Sequence, residues 1–334
     1  MKVLKNNSRE KLHIMKKIIF PTILFVFSNL IVLLLCEGML RFKNRDMKNY
    51  DIEMWRYATT LKRKSENPII NHEHIRSKKA MLQSVEIQSN NYGLRGQDIS
   101  LPLKTKRNIL FLGGSITLGW GVLQKDTVTE QLMEMLQHKG EEVAVWNAGV
   151  ANYNTSRYVE LFLTRLKELK PTDIVVHYFL RDAALLKPSQ SNLILEKSQL
   201  AITFWNLMTR TMENKRNGSL EEYYHQIYNP TYPGFLEMKD ALQRLAKYCH
   251  EQKIRMYFAM IPEVHELKNY KFSDIHSMMR DIVEPLGFIY IDLFPALSNL
   301  TPQDLWVMPG DSHPNALGHR LMAKSLFQEI QLKY

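Results

Sequence analysis

Residues 109–122 read "ILFLGGSITLGWGV": an apolar run, Ile109 to Leu112, stops on Gly113 and Gly114 and delivers Ser115 before the chain turns glycine-rich. A short apolar run of this kind reads as a strand buried on both faces. The pattern then alternates. Thr127 and Glu130 have capping-box spacing and open a helix carrying Val128, Leu132, Met135 and Leu136, which Gly140 stops. "EVAVWN" is the next strand; Asn154 or Thr155 caps a helix with Tyr158, Leu161, Phe162, Leu166 and Leu169 on one side, ended by Pro171; "DIVVHYFL" is a third strand. Further on come a helix from Phe235 to Gln252, the strand "IRMYFAMIP", a helix from Ser273 to Leu286, the strand "FIYIDL" and a last helix from about Pro314 to Gln331. Strands separated by helices of this length predict an α/β fold with a mainly parallel sheet covered on both faces. In such sheets ligands bind beyond the carboxyl ends of the strands, the end at which Ser115 sits.

The 334 residues are 45% hydrophobic and 23% charged, enough for a large core and against a disordered or fibrous chain. The net charge of +10 is concentrated at the start: the first fifty residues hold ten Lys and Arg against three acids, and no basic stripe follows, so a nucleic-acid partner is not expected. Residues 18–36, "IIFPTILFVFSNLIVLLLC", carry no charge and approach the ~20 residues that cross a bilayer as a helix. No small-x-small cleavage site follows, so the segment reads as an uncleaved signal anchor, with 1–17 its basic flank. Six basic residues precede it and Arg41, Lys43, Arg45 and Lys48 follow, a bias that places the N-terminus in the cytoplasm and the main domain outside; the opposite topology is the rival. Residues 37–90 read as a juxtamembrane connector, a stalk or peripheral wrap. The main domain is expected over 91–334, entered by a turn on Gly93 and Gly96 and interrupted by an insertion at about 185–234 that shapes a binding face. Cys36 and Cys249 lie too far apart in the pattern to predict a disulfide, and two cysteines build no cysteine-based metal site.

A hydroxyl is a weak nucleophile until a base takes its proton, and a histidine base works best when an acid holds its tautomer. "GDSHPNALGH", residues 310–319, offers both: Asp311 and His313, in a loop just ahead of the last helix. Residues in that place are often only helix caps. Taken together, however, "GGSITLGWGV", "NAGVANYNT", "HYFLRDA", "MIPEVHEL", "IDLFPAL" and "DSHPNALGHRLMA" resemble the SGNH or GDSL esterase family in its bacterial membrane-anchored form, as do "CEGMLRF" and "NNYGLRG". The resemblance runs from about Asn91 onward. It implies a flavodoxin-like, three-layer α/β/α fold, Ser115 as nucleophile, and His313 and Asp311 as base and orienting acid. It also implies an oxyanion hole from the backbone N–H of Ser115, a backbone N–H at Asn152 and a side chain at position 181.

The chain departs from that family in several places. The Asp that usually precedes the serine is Gly114. Asn152 replaces a glycine, though Asn tolerates left-handed backbone better than most residues. Arg181 replaces the oxyanion asparagine; losing one such donor typically costs about 10²- to 10³-fold in turnover. Arg181 either supplies donors of its own, holds an anionic substrate group, or simply pairs with Asp182. The Asp-x-His spacing is one residue shorter than usual, with Gly310 at the earlier position. Among other residues, His177 is expected in the core, His319 in a structural role, and His265 at most in substrate contact, since no partner for it is evident. Tyr223, Tyr224, Tyr228 and Tyr232 suit packing, or sugar stacking beside a cleft.

The expected activity is therefore that of a membrane-anchored extracytoplasmic serine esterase or acyltransferase. Its expected substrate is an O-acyl ester, such as that of a cell-envelope or exported carbohydrate, and the resemblance calls for no metal or organic cofactor. A catalytically inactive SGNH-fold scaffold of the envelope is the alternative. Acyl group, acceptor and oligomeric state are not legible in the sequence.

Overall fold

The computed structural model describes residues 2–186 and 193–332. Five strands form the central sheet: β1 (Arg107–Gly113), β2 (Val143–Gly149), β3 (Asp173–Phe179), β4 (Arg255–Ile261) and β5 (Ile289–Asp292). All neighbours are parallel, in the order β2-β1-β3-β4-β5. That is the flavodoxin-like order, with the chain reversing its direction of winding at β1 and β3.

The apolar runs follow from burial on both faces. Along β1, Leu110 and Leu112 pack into one layer and Ile109 and Phe111 into the other; along β4, Phe258 and Met260 alternate in the same way with Tyr257 and Ala259. Helix α3 (Val128–His138) and the C-terminal helix cover the second layer through Leu132, Leu136, Met322 and Leu326. Helices α4 (Thr155–Thr164), α7 (Pro233–Gln252) and α8 (Ser273–Val283) cover the first through Tyr158, Phe162, Leu242 and Met279. The predicted caps at Thr127 and Asn154 form, each side chain accepting from the backbone N–H three residues on. Glu130 does not complete a capping box, because its carboxylate accepts from Gln124 Nε2 instead.

Helix α1 (Lys2–Lys43) contains a stretch, Met15–Lys43, long and apolar enough to cross a membrane, and none of its apolar window is buried against the protein. Residues 37–90 pack onto the domain. Helix α2 (Tyr50–Thr60) buries Ile52 and Tyr57, and two short antiparallel pairs follow, one joining Lys62–Lys64 to His72–His74 and one joining Lys78–Leu82 to Val85–Ser89. Of the insertion at about 185–234, residues 187–192 lie outside the described residues; the remainder is mostly helical, with α5 (Gln199–Asn217) and α6 (Leu220–Ile227) its longer elements. Glu37, one residue beyond the charge-free run, accepts from the N–H groups of Gln199 and Leu200 and from Ser198 Oγ, and so ties the start of α5 to α1.

Candidate active site

Ser115 sits where β1 must turn sharply. A Cβ on Gly113 would lie 2.0 Å from Thr117 Oγ1 and 2.8 Å from the His177 carbonyl, and one on Gly149 would lie 2.1 Å from Leu118 N, so only glycine lets β1, β2 and the serine turn meet. The turn, Ser115–Leu118, is held from behind by Arg95, whose guanidinium donates to the carbonyls of Leu118 (2.5 Å), Gly119 (2.6 Å) and Val122 (2.5 Å). Burial lowers the Arg95 pKa to about 10, so at neutral pH it remains a charged clamp on those acceptors.

Asp311 and His313 lie on a short strand, Asp311–Pro314, that pairs antiparallel with Trp306–Met308 around a turn at Pro309 and Gly310. The sequence reading placed them in a loop. His313 points at Ser115, and Asp311 meets the far nitrogen of the His313 ring. His313 Nε2 is 2.7 Å from Ser115 Oγ, and His313 Nδ1 is 2.5 Å from Asp311 Oδ1. The short Asp-x-His spacing thus closes the relay on a strand whose pairing shifts register between Asp311 and Pro314. The last helix, α9, begins at Ala316 rather than Pro314, capped by Asn315 Oδ1, which accepts from the N–H groups of Leu317 and Gly318. Capping therefore falls to Asn315, and His313 is free to face the serine.

Asp311 is buried, which alone would raise its pKa; hydrogen bonds from His313 and from Gln83 Nε2 (2.7 Å) outweigh burial and hold it below the usual carboxylate range. It therefore stays ionised beside the imidazole. Gln83 and Ser84 form the two-residue hairpin loop between Lys78–Leu82 and Val85–Ser89, with φ of 48° and 62°; both central residues are left-handed, as in type I′ hairpins. Glu53 of α2 fixes Gln83 further by accepting from its N–H (2.9 Å). Tyr50, the first residue of α2, stacks on the His313 ring at 5.7 Å between centroids and 29° between planes. Residues 37–90 thus supply supports for both the acid and the imidazole.

Asn152 has φ 65°, the left-handed conformation foreseen for it. Its peptide plane is anchored. The Ala151 carbonyl accepts from His72 Nε2 (3.0 Å), and in a trans peptide the following N–H, that of Asn152, points the opposite way. The Ala151 N–H donates to Tyr57 Oη (3.1 Å), and Arg157 Nη1 donates to the Asn152 carbonyl (2.8 Å). Arg181 follows β3 in a 3-10 turn, reaches solvent through the cleft, and hydrogen-bonds Tyr223. Asp182 turns inward instead of pairing with it, taking the Phe179 N–H and a bond from Tyr158. Burial raises the Asp182 carboxyl to about 8, so it is mainly protonated at neutral pH.

Ser115, Asn152, Arg181, Asp311 and His313 all line one cleft of about 300 Å³. Of the other histidines, His177 and His319 are buried and held neutral, burial lowering each to about 3; His177 Nδ1 meets Thr117 Oγ1 and His319 Nδ1 accepts from the Val128 N–H. His265 also lines the cleft, and it has the partner that the sequence did not reveal: buried Glu263 hydrogen-bonds its Nδ1. Sequence reasoning also missed Arg95, Gln83, His72 and Tyr50. Only Arg95 left a trace, within "NNYGLRG"; the others act through contacts that no local pattern encodes.

No family model matches the chain, and no curated protein matches it. Similar solved structures include TesA (11% identity, 68% of this chain and 100% of that one, TM-score 0.47). They also include a catalytic mutant of Axe2, an acetylxylan esterase from Geobacillus stearothermophilus (14%, 69% and 96%, 0.45), and the lipase/acylhydrolase from Enterococcus faecalis (16%, 68% and 96%, 0.42).

Proposed function

We propose that this chain is a membrane-anchored serine esterase or acyltransferase with its catalytic domain outside the cytoplasm, acting on an O-acyl ester of a cell-envelope or exported carbohydrate. The observation that carries the reading is the continuous relay from Ser115 Oγ through His313 to Asp311, at 2.7 and 2.5 Å. Ser115 attacks the acyl carbonyl while His313 takes its proton; His313 then protonates the departing alkoxide, and Asp311 stabilises the imidazolium between the two steps. The N–H groups of Ser115 and Asn152 and the Arg181 guanidinium receive the developing oxyanion. Water or a second alcohol then releases the acyl group from Ser115.

The anchor bears on the substrate's location. Arg210, which lines the cleft, lies eleven residues into α5 from Gln199, whose N–H Glu37 holds, so at 1.5 Å per residue the cleft edge is about 16 Å from the end of the apolar run. An ester held on or near the bilayer surface is within its reach. The domain division, with the anchor at 18–36, the connector at 37–90 and the catalytic part at 91–334, belongs to the same proposal.

Fluorophosphonate labelling tests the chemistry. The full chain in detergent should be labelled, Ser115→Ala should not, and acetylated oligosaccharides should slow the labelling of the wild type. A chain that stays unlabelled while binding such sugars is an inactive scaffold. Protease accessibility on spheroplasts tests the topology: a protected domain places it in the cytoplasm.

A further inference from the structure

The cleft holds a second imidazole–carboxylate pair that the relay at Ser115 does not use. Glu263 and His265 follow β4. Glu263 is buried and its carboxylate is fully engaged, accepting from Tyr224 Oη (2.9 Å), from the His265 N–H (3.2 Å) and from His265 Nδ1. The segment is braced on both sides: the Glu263 N–H donates to Tyr270 Oη (3.1 Å), and Trp306 Nε1 donates to the Val264 carbonyl (3.0 Å) while its ring meets the His265 ring edge-on at 5.5 Å. The His265 side chain is nevertheless 48% exposed, so it is not there to fill the core. With Nδ1 engaged, Nε2 is the nitrogen left for a ligand in the cleft.

Ester hydrolysis at Ser115 needs one base, which His313 supplies. Strand β4 lies two positions from β1 in the sheet, about 10 Å at the spacing of neighbouring strands, so the second pair stands about one sugar ring away from the nucleophile rather than on it. That is where a second reactant would be held.

We propose that His265, oriented by Glu263, binds a hydroxyl of a polyhydroxylated acceptor and so makes the cleft an acyl-transfer site, an inference that rests on Ser115 being the nucleophile. A neighbouring hydroxyl of the held acceptor attacks the acyl carbonyl on Ser115. Its C–O bond forms as the bond to Ser115 Oγ breaks, and His313 takes the acceptor proton and returns it to Oγ. Holding the acceptor raises its effective concentration beside the ester, which is what lets it compete with water. His265 is the binding group and Glu263 a positioning residue.

The experiment follows p-nitrophenyl acetate with methyl glycosides of glucose, mannose and galactose as acceptors, using the full chain in detergent. The p-nitrophenol burst reports acylation of Ser115, and the ratio of acetylated glycoside to acetate reports transfer. The wild type should transfer, and His265→Gln should keep the burst while its transfer ratio falls about tenfold, the loss of one hydrogen bond. Glu263→Gln should also lower the ratio, with a pH signature that a merely structural role would lack. Hydrogen bonding by Glu263 raises the His265 pKa above its usual value, and Nε2 accepts from a hydroxyl when the ring is neutral but donates to one when it is protonated. The wild-type ratio should therefore change with pH through that raised value, and the change should move to lower pH in Glu263→Gln. Tyr224, Asp311, His313 and Arg181 also border the cleft, and Tyr270 and Trp306 brace the loop; they are unchanged between the two proteins, so the displacement reports Glu263. A wild type that bursts without transferring overturns the proposal, as does a His265→Gln variant whose ratio is unchanged or whose burst falls in parallel. A wild type that neither releases p-nitrophenol nor is labelled at Ser115 by a fluorophosphonate defeats the nucleophile reading, and this one with it.

Discussion

At the scale of residues, the relay depends on groups far from it in sequence. Gln83 is 228 positions from the Asp311 carboxylate to which it donates. Replacing it with Leu removes a hydrogen bond to a charged group, worth about 1.5–3 kcal/mol, so kcat/KM for a simple acetyl ester should fall about 10- to 100-fold, measured by p-nitrophenol release. An unchanged rate would show that His313 alone is enough to hold Asp311. Arg181 makes a second prediction. If its guanidinium receives the oxyanion, Arg181→Ala should lower kcat by about 10²-fold; a rise in KM confined to acidic esters would show instead that it holds an anionic substrate group.

At the scale of elements, the strand Asp311–Pro314 is the decisive piece. Its pairing shifts register between Asp311 and Pro314, the Asp311 and His313 side chains meet there, and the Asn315 cap ends it by starting α9. Asn315→Ala should cost about 0.5–2 kcal/mol as a lost N-cap, read as a lower denaturation midpoint. Because Asn315 Nδ2 also donates to the Asp304 and Trp306 carbonyls, the loss should loosen His313, and fluorophosphonate labelling should slow as well. The segment 62–89 plays the same kind of part from the other side. It gives buried His72 to the Ala151 carbonyl and Gln83 to Asp311, so a chain begun at residue 91 should fail to label Ser115 even where it folds.

At the scale of the whole molecule, burial of titratable groups sets the pH range of stability. Burial lowers His72 to about 2, His74 to about 4, and His177 and His319 to about 3. The unfolded chain protonates these residues near 6.5 while the folded one does not, so stability is full above that value and is lost progressively as pH falls below it. Asp182 acts in the opposite sense. Raised to about 8 when folded, it binds a proton that the unfolded chain releases near 4, and its contribution declines as pH rises between those values. Denaturant midpoints should therefore fall as pH drops below neutral, and Asp182→Asn, which removes the opposing contribution that runs from the usual carboxylate range up to about 8, should make that fall steeper. A midpoint that stays level from pH 7 to pH 5 would contradict neutral buried histidines.

The β/α alternation, the glycines before Ser115, the apolar run at 18–36 and the Asp-x-His pair could all be read in the sequence because each is a local consequence of periodicity, backbone freedom or chemistry over a few residues. Tertiary packing alone decided that Asp-x-His is extended, that residues 37–90 support the relay, and that Glu263 is the partner of His265. Those outcomes depend on which distant segments share the end of the sheet. A buried carboxylate or histidine takes its role from neighbours that folding brings to it, and no pattern along the chain records them.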